Sequence, residues 1–495
     1  MQASVDVIAA ALEQAGLLAE RRGSFPSDVT GITDDSRTVS AGNLFIAVRG
    51  SAGDGHDYLE AARAAGASCA IVEDAGRTTL PALVVREGRR AAALAAAAAY
   101  GAPADQLQIV GITGTNGKTT TVSILRHLLD TPAAGGRSAS IGTLGVLLGS
   151  EGTPVPGGSG LTTPGPVELQ RVLRALVDAG VARVAMEASS HSLDQRRMDG
   201  VLFEAVVYTN FTRDHLDYHQ TMEKYFAAKA RLIDYLQPHG TVVYNMDDTA
   251  WSALKTDRRR VGYSQRVGTA EVSATDVRFG PRGSRFTLNM YSDRNQVELP
   301  LIGEFNVMNA LAAAAAAYAL GMPAQRVADR LATLPQIPGR LEVLRERPTV
   351  LRDYSHTPDA LERALGAVRP FVPGRLILVF GCGGDRDRGK RPEMGRIGAR
   401  LADVVIITSD NPRTEDPQAI LDEIEAGMGG AAHERIEDRR AAIARALEIA
   451  APDDVILLAG KGHETYQIRG TERLPFDEKV IVRELSDERP VAGGR

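Results

Sequence analysis

Across 495 residues there are only two cysteines and one tryptophan, and aromatic residues make up 5% of the chain. Cys69 and Cys382 stand far apart, with no CxxC or Cys/His spacing beside them. That excludes a disulfide framework and a structural zinc site, and it fits a reducing compartment in which both are buried thiols. Charge of one sign is also lacking. Lys and Arg total 57 against 62 Asp and Glu, a net charge of −5, so the basic excess with which proteins seek polyanions is absent and nucleic acid is not an expected partner. The longest apolar run, ALAAAAAAYALG from Ala310, is too short and too rich in alanine to span a bilayer. Asp6 and Glu13 interrupt the apolar start and no basic segment precedes it, so no secretion signal is read there. The expectation is a cytoplasmic protein that makes no use of a membrane.

What is present is length and α/β alternation. A chain of this size exceeds one hydrophobic core and suggests about three domains. From Val39 to Val72 the text reads as short strands and one helix, and an Ala-rich helix ending at Gly101, before Pro103, closes a first domain at residues 1–101. LQIVGITGTNGKTTTVSILRHLL then opens a second, 102–338, as a buried strand, a Gly-bearing turn and an amphipathic helix, with βα alternation continuing to about Pro338. In the third, 339–495, TVLRDY, LILVFG, VVIITS and VILLAG are strands separated by helical text, which predicts a mostly parallel, doubly wound sheet. The fold class is thus α/β: a small N-terminal α/β domain, a central P-loop-type ATPase domain and a Rossmann-like C-terminal domain. The tail after Glu488 reads as disordered.

In GTNGKTT, the residues Gly114, Thr115, Asn116, Gly117, Lys118, Thr119 and Thr120 form a turn between strand and helix. Backbone N–H groups there can converge on phosphate oxygens, Lys118 can reach the terminal phosphates and Thr119 can ligate Mg²⁺. The strict P-loop pattern wants glycine where Ile112 stands, so this is a variant, and a Gly-rich turn with an incidental lysine is the alternative. No guanine-reading Asn-Lys-x-Asp is found, which favours ATP. A dinucleotide fingerprint in GCGGDR fails, because its third glycine position is Arg386. TSDNPRTEDP, Thr408 to Pro417, sets one arginine among acids and prolines. It could be a plain turn, but it follows a strand of the same sheet as the loops carrying Arg386 and Gly460 to Glu464, so three loops should open on one edge.

At this point the sequence resembles the Mur ligases. The variant loop is theirs, and further motifs narrow the resemblance to members that add the third peptide residue: DDSRTVSAGNLFIAVRG, TTP, MEASSHSLDQRRMDG, YTNFTRDHLDYHQTMEKYFAAKARL, GEFNVMNALAA, IPGRLE, DYSHTPDAL, GCGGDRDRGKRPEMG, DNPR and GKGHE. They cover nearly the whole chain in order. The resemblance implies domains for UDP, ATP and the incoming amino acid, with ATP as co-substrate and two Mg²⁺ ions. It implies Glu187 and His215 as metal ligands, on loops at strand ends, and a carbamylated Lys229 as a further anionic oxygen donor, which needs a neutral amine. On spacing alone Lys229 reads as a solvated helix lysine. Lys118, Lys229, His215 and Glu187 are the catalytic set.

By the same resemblance Asn306 and Asn309 lie near adenine, Arg340 near the phosphates and Asp353 near the ribose, although each could instead be a capping or ion-pair residue. Ser36 and the loop of Ser51, Ala52 and Gly53 belong to the uridine diphosphate end, and Thr162, Thr163, Ser189, Gln195 and Arg197 to the sugar-peptide end. Leu161 departs from the family pattern, which often has Asn before the Thr-Thr pair. Asp410, Asn411, Pro412 and Arg413, with Arg386, Gly460 and Glu464, would take meso-diaminopimelate: Arg413 and Asn411 its distal carboxylate, Glu464 and Asp410 the ammonium. In the family DNPR goes with that amino acid. The expected reaction is ATP-driven amide synthesis on UDP-N-acetylmuramoyl-L-alanyl-D-glutamate, by a monomer. Alternatives are a folylpolyglutamate-type ligase, a ligase of another step, and a P-loop switch or motor that makes no bond.

Overall fold

The computed structural model describes residues 2–50, 53–131, 136–158 and 160–487; Ser51, Ala52 and the tail after Glu488 lie outside them. The chain falls into two compact units, residues 1–273 with 311–327, and 274–310 with 328–495.

Two large sheets make up most of the first unit, beside a two-stranded pair of Ala3–Ser4 and Asp28–Val29. The N-terminal one has five strands, in the order Leu18–Arg22, Ala82–Val85, Cys69–Val72, Asn43–Ile46 and Gly31–Thr33, parallel except for the first pair. CAIV and NLFI are buried on both faces, which is why they read as unbroken apolar runs. The helix Gly88–Ala99 closes one face through alanines, whose small side chains let helix and sheet approach. This layer is tied to the next by Arg90 Nε, which donates to Asp199 Oδ2 at 3.1 Å.

The second sheet orders Thr153–Val155, Gly145–Leu148, Arg137–Gly142, Val181–Glu187, Gln108–Thr113, Phe203–Tyr208, Leu236–Asn245 and Arg259–Ser264. The six from Arg137–Gly142 onward are parallel. The phosphate-loop strand Gln108–Thr113 is therefore central, with the strands ending in Glu187 and Tyr208 on either side, so their C-terminal ends open at one edge, where open α/β sheets bind ligands.

One expectation fails. The βα alternation stops at Leu236: Leu236–Asn245, Arg259–Ser264, Val272–Gly280, Gly283–Met290 and Asp293–Leu299 follow one another with no α-helix between them. The last two pair antiparallel. In FTLNM and NQVEL the apolar residues alternate with polar ones, the period-two pattern of a half-exposed hairpin.

In the second unit the sheet order is Glu342–Glu346, Thr349–Asp353, Val455–Ala459, Leu376–Phe380, Val404–Ile407 and Glu434–Arg435. All pairs are parallel except the first. Apolar clusters cover both faces. Among the described residues no helix is long and apolar enough to cross a membrane.

Candidate active site

The phosphate loop is shaped by its neighbours as much as by itself. Gly114 has φ +150°, and a Cβ there would lie 1.8 Å from Thr209 Oγ1, so only glycine fits. Thr209 Oγ1 donates to Asn116 O at 2.7 Å, and Asn116 N donates to Asn210 Oδ1 at 2.9 Å. Gly117, at φ +83°, turns the chain into the helix Lys118–Leu129. A helix start supplies N–H groups without intrahelical acceptors, and phosphate oxygens are their natural partners. Lys118 Nζ donates to the carbonyls of Gly114 and Thr115, both at 2.9 Å. Thr119 and Thr120, in the first helical turn, are buried.

Lys229 overturns its reading from spacing alone. It sits in the helix Met222–Ala230 with 1% of its surface exposed, and its Nζ donates to Gly114 O at 2.7 Å, the carbonyl that Lys118 also uses. Tyr225, one turn earlier, places its ring 4.5 Å from Nζ; the i, i+4 spacing was a signal that the sequence offered. Burial first, then the neighbouring Lys118, push the amine well below its ordinary range, against the pull of Asp214.

Glu187 is the last residue of its strand rather than a loop residue. It is buried, and its Oε1 accepts from Thr143 N at 2.8 Å and its Oε2 from Thr143 Oγ1 at 3.2 Å. Thr143 is a residue that sequence reasoning missed. His215 does stand on the loop after Phe203–Tyr208, in the left-handed region at φ 52°. Desolvation lowers its pKa first, with Lys118, His191 and Lys229 adding to the shift and Asp214 opposing it, which favours the neutral imidazole that binds metals.

Among the described residues no three His, Cys, Asp or Glu side chains gather into a metal cage. The donors at this edge are the Thr119 hydroxyl, the Glu187 carboxylate and the His215 imidazole. A hard cation asks for more oxygen than that. A buried amine with a lowered pKa suits conversion to a carbamate, which would supply it.

The residues expected at the sugar-peptide end form one connected cluster. Thr163 Oγ1 donates to Glu187 O at 2.8 Å and to Ser189 Oγ at 3.3 Å. Arg197 donates to Thr163 O at 2.9 Å and to Gln195 Oε1 at 3.0 and 2.7 Å. Thr162 Oγ1 accepts from Thr143 at 3.3 Å. Tyr218, unforeseen, accepts from Gln195 Nε2 at 3.2 Å and donates to Asp194 at 2.8 Å. Ser36 opens a short turn capped by Asp35, next to Asp34, whose carboxyl is raised by burial and faces Arg197. Gly53 O accepts from Gly50 N at 2.8 Å.

Leu161 is 45% exposed, so its side chain reaches solvent next to this cluster without holding it together. Leu161→Asn is expected to change the Michaelis constant for the nucleotide-sugar substrate by less than about tenfold, or ~1.4 kcal/mol. Steady-state kinetics check this, and a larger change in either direction would show that the position contacts substrate.

In the second unit, Asn306 Nδ2 donates to Ile302 O at 2.8 Å and Asn309 Nδ2 to Asn306 Oδ1 at 3.2 Å. Asp353 Oδ2 accepts from Leu341 N at 2.8 Å, and burial raises its carboxyl while Arg340 opposes that shift. Arg340 lies 4.9 Å over the Tyr354 ring.

The three C-terminal loops do converge. Arg413, at φ 53°, is pinned by its N–H to Ile468 O at 3.1 Å. Its guanidinium NH1 donates to Gly384 O at 2.7 Å, so one of its fork nitrogens is already committed. Gly383 and Gly384 allow this approach: Cβ atoms there would lie 3.0 Å from Arg413 NH1 and 1.9 Å from Pro412 O. Burial first, then Arg386, lower the Arg413 pKa. Arg386 is exposed, with NH1 donating to Asp385 O at 2.9 Å. Asn411 Nδ2 donates to Glu464 Oε2 at 2.8 Å. Asp410 Oδ1 is buried and makes no hydrogen bond among the described residues, and it is ion-paired with Lys461 Nζ at 3.5 Å. Gly460, at φ +117°, lies against Asp410. One guanidinium and two carboxylates therefore face one pocket, an arrangement suited to a zwitterionic head group.

Comparison with known proteins gives the chain's relatives. Residues 28–110 match the family pattern described as Mur ligase family, catalytic domain; residues 112–317 match Mur ligase middle domain; and 339–462 match Mur ligase, glutamate ligase domain. A UDP-N-acetylmuramoyl-L-alanyl-D-glutamate--2,6-diaminopimelate ligase of Synechococcus elongatus is 45% identical over 482 residues, covering 94% of this chain and 95% of that protein. A solved structure of a ligase of the same name is 35% identical, with a TM-score of 0.68 and 99% of each chain covered. The folylpolyglutamate synthase of Mycobacterium tuberculosis, solved with ADP and AMPPCP, shares the fold at 19% identity, with a TM-score of 0.62 over 75% of this chain and 92% of that one.

Proposed function

This chain belongs to the Mur ligase family, and on that premise we propose that it joins meso-2,6-diaminopimelate to the D-glutamyl γ-carboxylate of UDP-N-acetylmuramoyl-L-alanyl-D-glutamate at the expense of ATP. The observation that carries the amino-acid assignment is the pocket of Arg413, Asn411, Asp410 and Glu464, which offers donors and acceptors to one head group. The division into 1–101, 102–338 and 339–495, for the UDP end, ATP and the amino acid, is part of this reading. So are a cytoplasmic location and a monomeric state.

A γ-carboxylate oxygen attacks the γ-phosphorus of ATP in line, the bond to the β-phosphate oxygen breaks, and an acyl phosphate and ADP result. The α-amine of diaminopimelate then attacks the acyl carbon. The C–N bond forms, the C–O bond to phosphate breaks, the amine loses a proton and inorganic phosphate leaves. Little covalent work falls to the protein, so positioning and charge stabilisation dominate. Lys118 sits at the mouth of the loop, its Nζ held by carbonyls that a phosphate group can replace as partners. The Thr162, Thr163, Ser189, Gln195 and Arg197 cluster, bonded to the backbone of Glu187, would set the glutamyl end beside the phosphate loop. Thr119, Glu187, His215 and Lys229 as its carbamate would hold Mg²⁺, which supplies charge neutralisation at the transferring phosphoryl group.

Because the acceptor carboxylate comes from the nucleotide-sugar substrate, phosphate release should stay low with ATP alone and rise only when UDP-N-acetylmuramoyl-L-alanyl-D-glutamate is added. A phosphate-release assay measures this. Comparable release without that substrate would favour a nucleotide switch or motor.

A further inference from the structure

The middle of the amino-acid pocket holds Lys461, the second residue of GKGHE, which has no role among the expected site residues. Lys461 follows the strand Val455–Ala459, and none of its side chain is exposed. Its Nζ donates to Asn411 Oδ1 at 3.0 Å and to Glu464 Oε2 at 3.1 Å, and lies 3.5 Å from Asp410 Oδ1. The rings of Tyr466 and Phe476 stand 6.0 and 5.8 Å away, so among the described residues Nζ is hydrogen-bonded or ion-paired to Asn411, Glu464 and Asp410.

Those contacts fix which way Asn411 faces. Its Oδ1 accepts from Lys461 and also from Ile468 N at 2.9 Å, which uses both lone pairs. Its Nδ2 gives one hydrogen to Glu464 Oε2 and keeps one, so Asn411 can meet a ligand only as a donor. Glu464 Oε2 is shared between Asn411 and Lys461, which leaves Oε1 as its outward acceptor. Lys461 offsets one of the two carboxylates and leaves the other for one ammonium, while Arg413 remains for one carboxylate, the two charges of a zwitterion.

We propose that Lys461 is the positioning residue that sets the polarity of this pocket, holding Asn411 as a donor toward the distal carboxylate of the amino acid and matching Asp410 and Glu464 to a single ammonium. The proposal rests on the diaminopimelate reading above. Without Lys461 the Asn411 amide would keep Ile468 N and Glu464 Oε2 but lose its charged donor, and the two carboxylates would favour added positive charge over a ligand carboxylate. A hydrogen bond to a charged group is worth about one order of magnitude in affinity, and the expected losses are of that size.

The test is steady-state kinetics of wild type, Lys461→Met and Lys461→Gln, with ATP, the nucleotide-sugar dipeptide, meso-diaminopimelate and L-lysine each varied. Methionine removes the donor and the charge at similar length; glutamine keeps a donor for Asn411. Lys461→Met should raise the diaminopimelate Michaelis constant by about tenfold or more and lower the preference for diaminopimelate over lysine by a similar factor. The constants for ATP and the dipeptide should stay within about twofold, and Lys461→Gln should fall between. If all constants rise together, or if the preference is unchanged in both variants, Lys461 is only structural and the proposal is overturned. If Lys461→Met fails to fold, a wild-type preference in Lys461→Gln overturns it equally. A wild type that does not prefer diaminopimelate would instead remove the reading on which the proposal stands.

Discussion

Lys229→Ala is expected to lower ligation by about 10³-fold or more, the scale of removing one preorganised charge-stabilising group, while nucleotide-sugar binding and the fold persist. The physical reason is the crowding at Gly114 O, which accepts from both Lys229 and Lys118. An ammonium taken out of water costs several kcal/mol without a counter-ion, and a second lysine nearby raises that cost. The Lys229 pKa is therefore driven down. A group with a lowered pKa is neutral above that pKa, so the amine that attacks carbon dioxide becomes more abundant as pH rises through it, and carbamylation should rise with pH. In that step the neutral amine forms an N–C bond as one C=O π bond of carbon dioxide opens onto oxygen, a proton leaves the nitrogen and a carbamate anion results. Excess acetate or formate should restore part of the activity of Lys229→Ala, and carbon-13 NMR of enzyme supplied with labelled carbon dioxide should show a carbamate in wild type only. A fully active Lys229→Ala enzyme would refute this role.

Arg413→Ala is expected to raise the diaminopimelate Michaelis constant by about 10²-fold or more, with those for ATP and the dipeptide nearly unchanged. Charge-assisted bonds to a carboxylate are the strong ones, and leaving the ligand's carboxylate unpaired in a partly dehydrated pocket adds to the loss. The backbone of Arg413 is held by Ile468 O and by Gly470 N, which donates to Arg413 O at 2.7 Å, so truncating the side chain should leave the loop in place. Kinetics with each substrate varied in turn decide the matter. An equal effect on all three would mean that the residue acts on the fold.

Much of this was legible in the sequence for a simple reason: strands buried on both faces leave continuous apolar runs, and the residues directly after them are the site. LILVF, VVII and VILLA announced the sheet, and Arg386, DNPR and Gly460 to Glu464 followed from where they end. The five consecutive strands from Leu236 were not legible, because Leu236–Asn245 and Arg259–Ser264 are parallel neighbours joined by residues 246–258, which carry a short 3-10 helix, Thr249–Ala253, and no α-helix, whereas parallel pairs usually signal an α-helix between. The burial of Lys229 was hidden for another reason. Its helix has a weak amphipathic pattern, and although Tyr225 covers the amine from the same helix, the approach of Gly114 depends on tertiary packing. Thr143 and Lys461 escaped attention because each acts through another residue, Glu187 in one case and Asn411 in the other, and such roles leave no spacing of their own.

The central claim is that the pocket at Arg413 selects an amino acid with a second, zwitterionic end. It is tested most directly by phosphate release with saturating ATP and UDP-N-acetylmuramoyl-L-alanyl-D-glutamate, comparing meso-diaminopimelate with L-lysine. L-Lysine has no carboxylate to meet the guanidinium, and a site built around a polar group rejects an analogue lacking it by as much as about 10⁴-fold in kcat/KM. The account predicts phosphate release with diaminopimelate, one phosphate per amide formed, and almost none with lysine. Equal turnover of the two amino acids would contradict it.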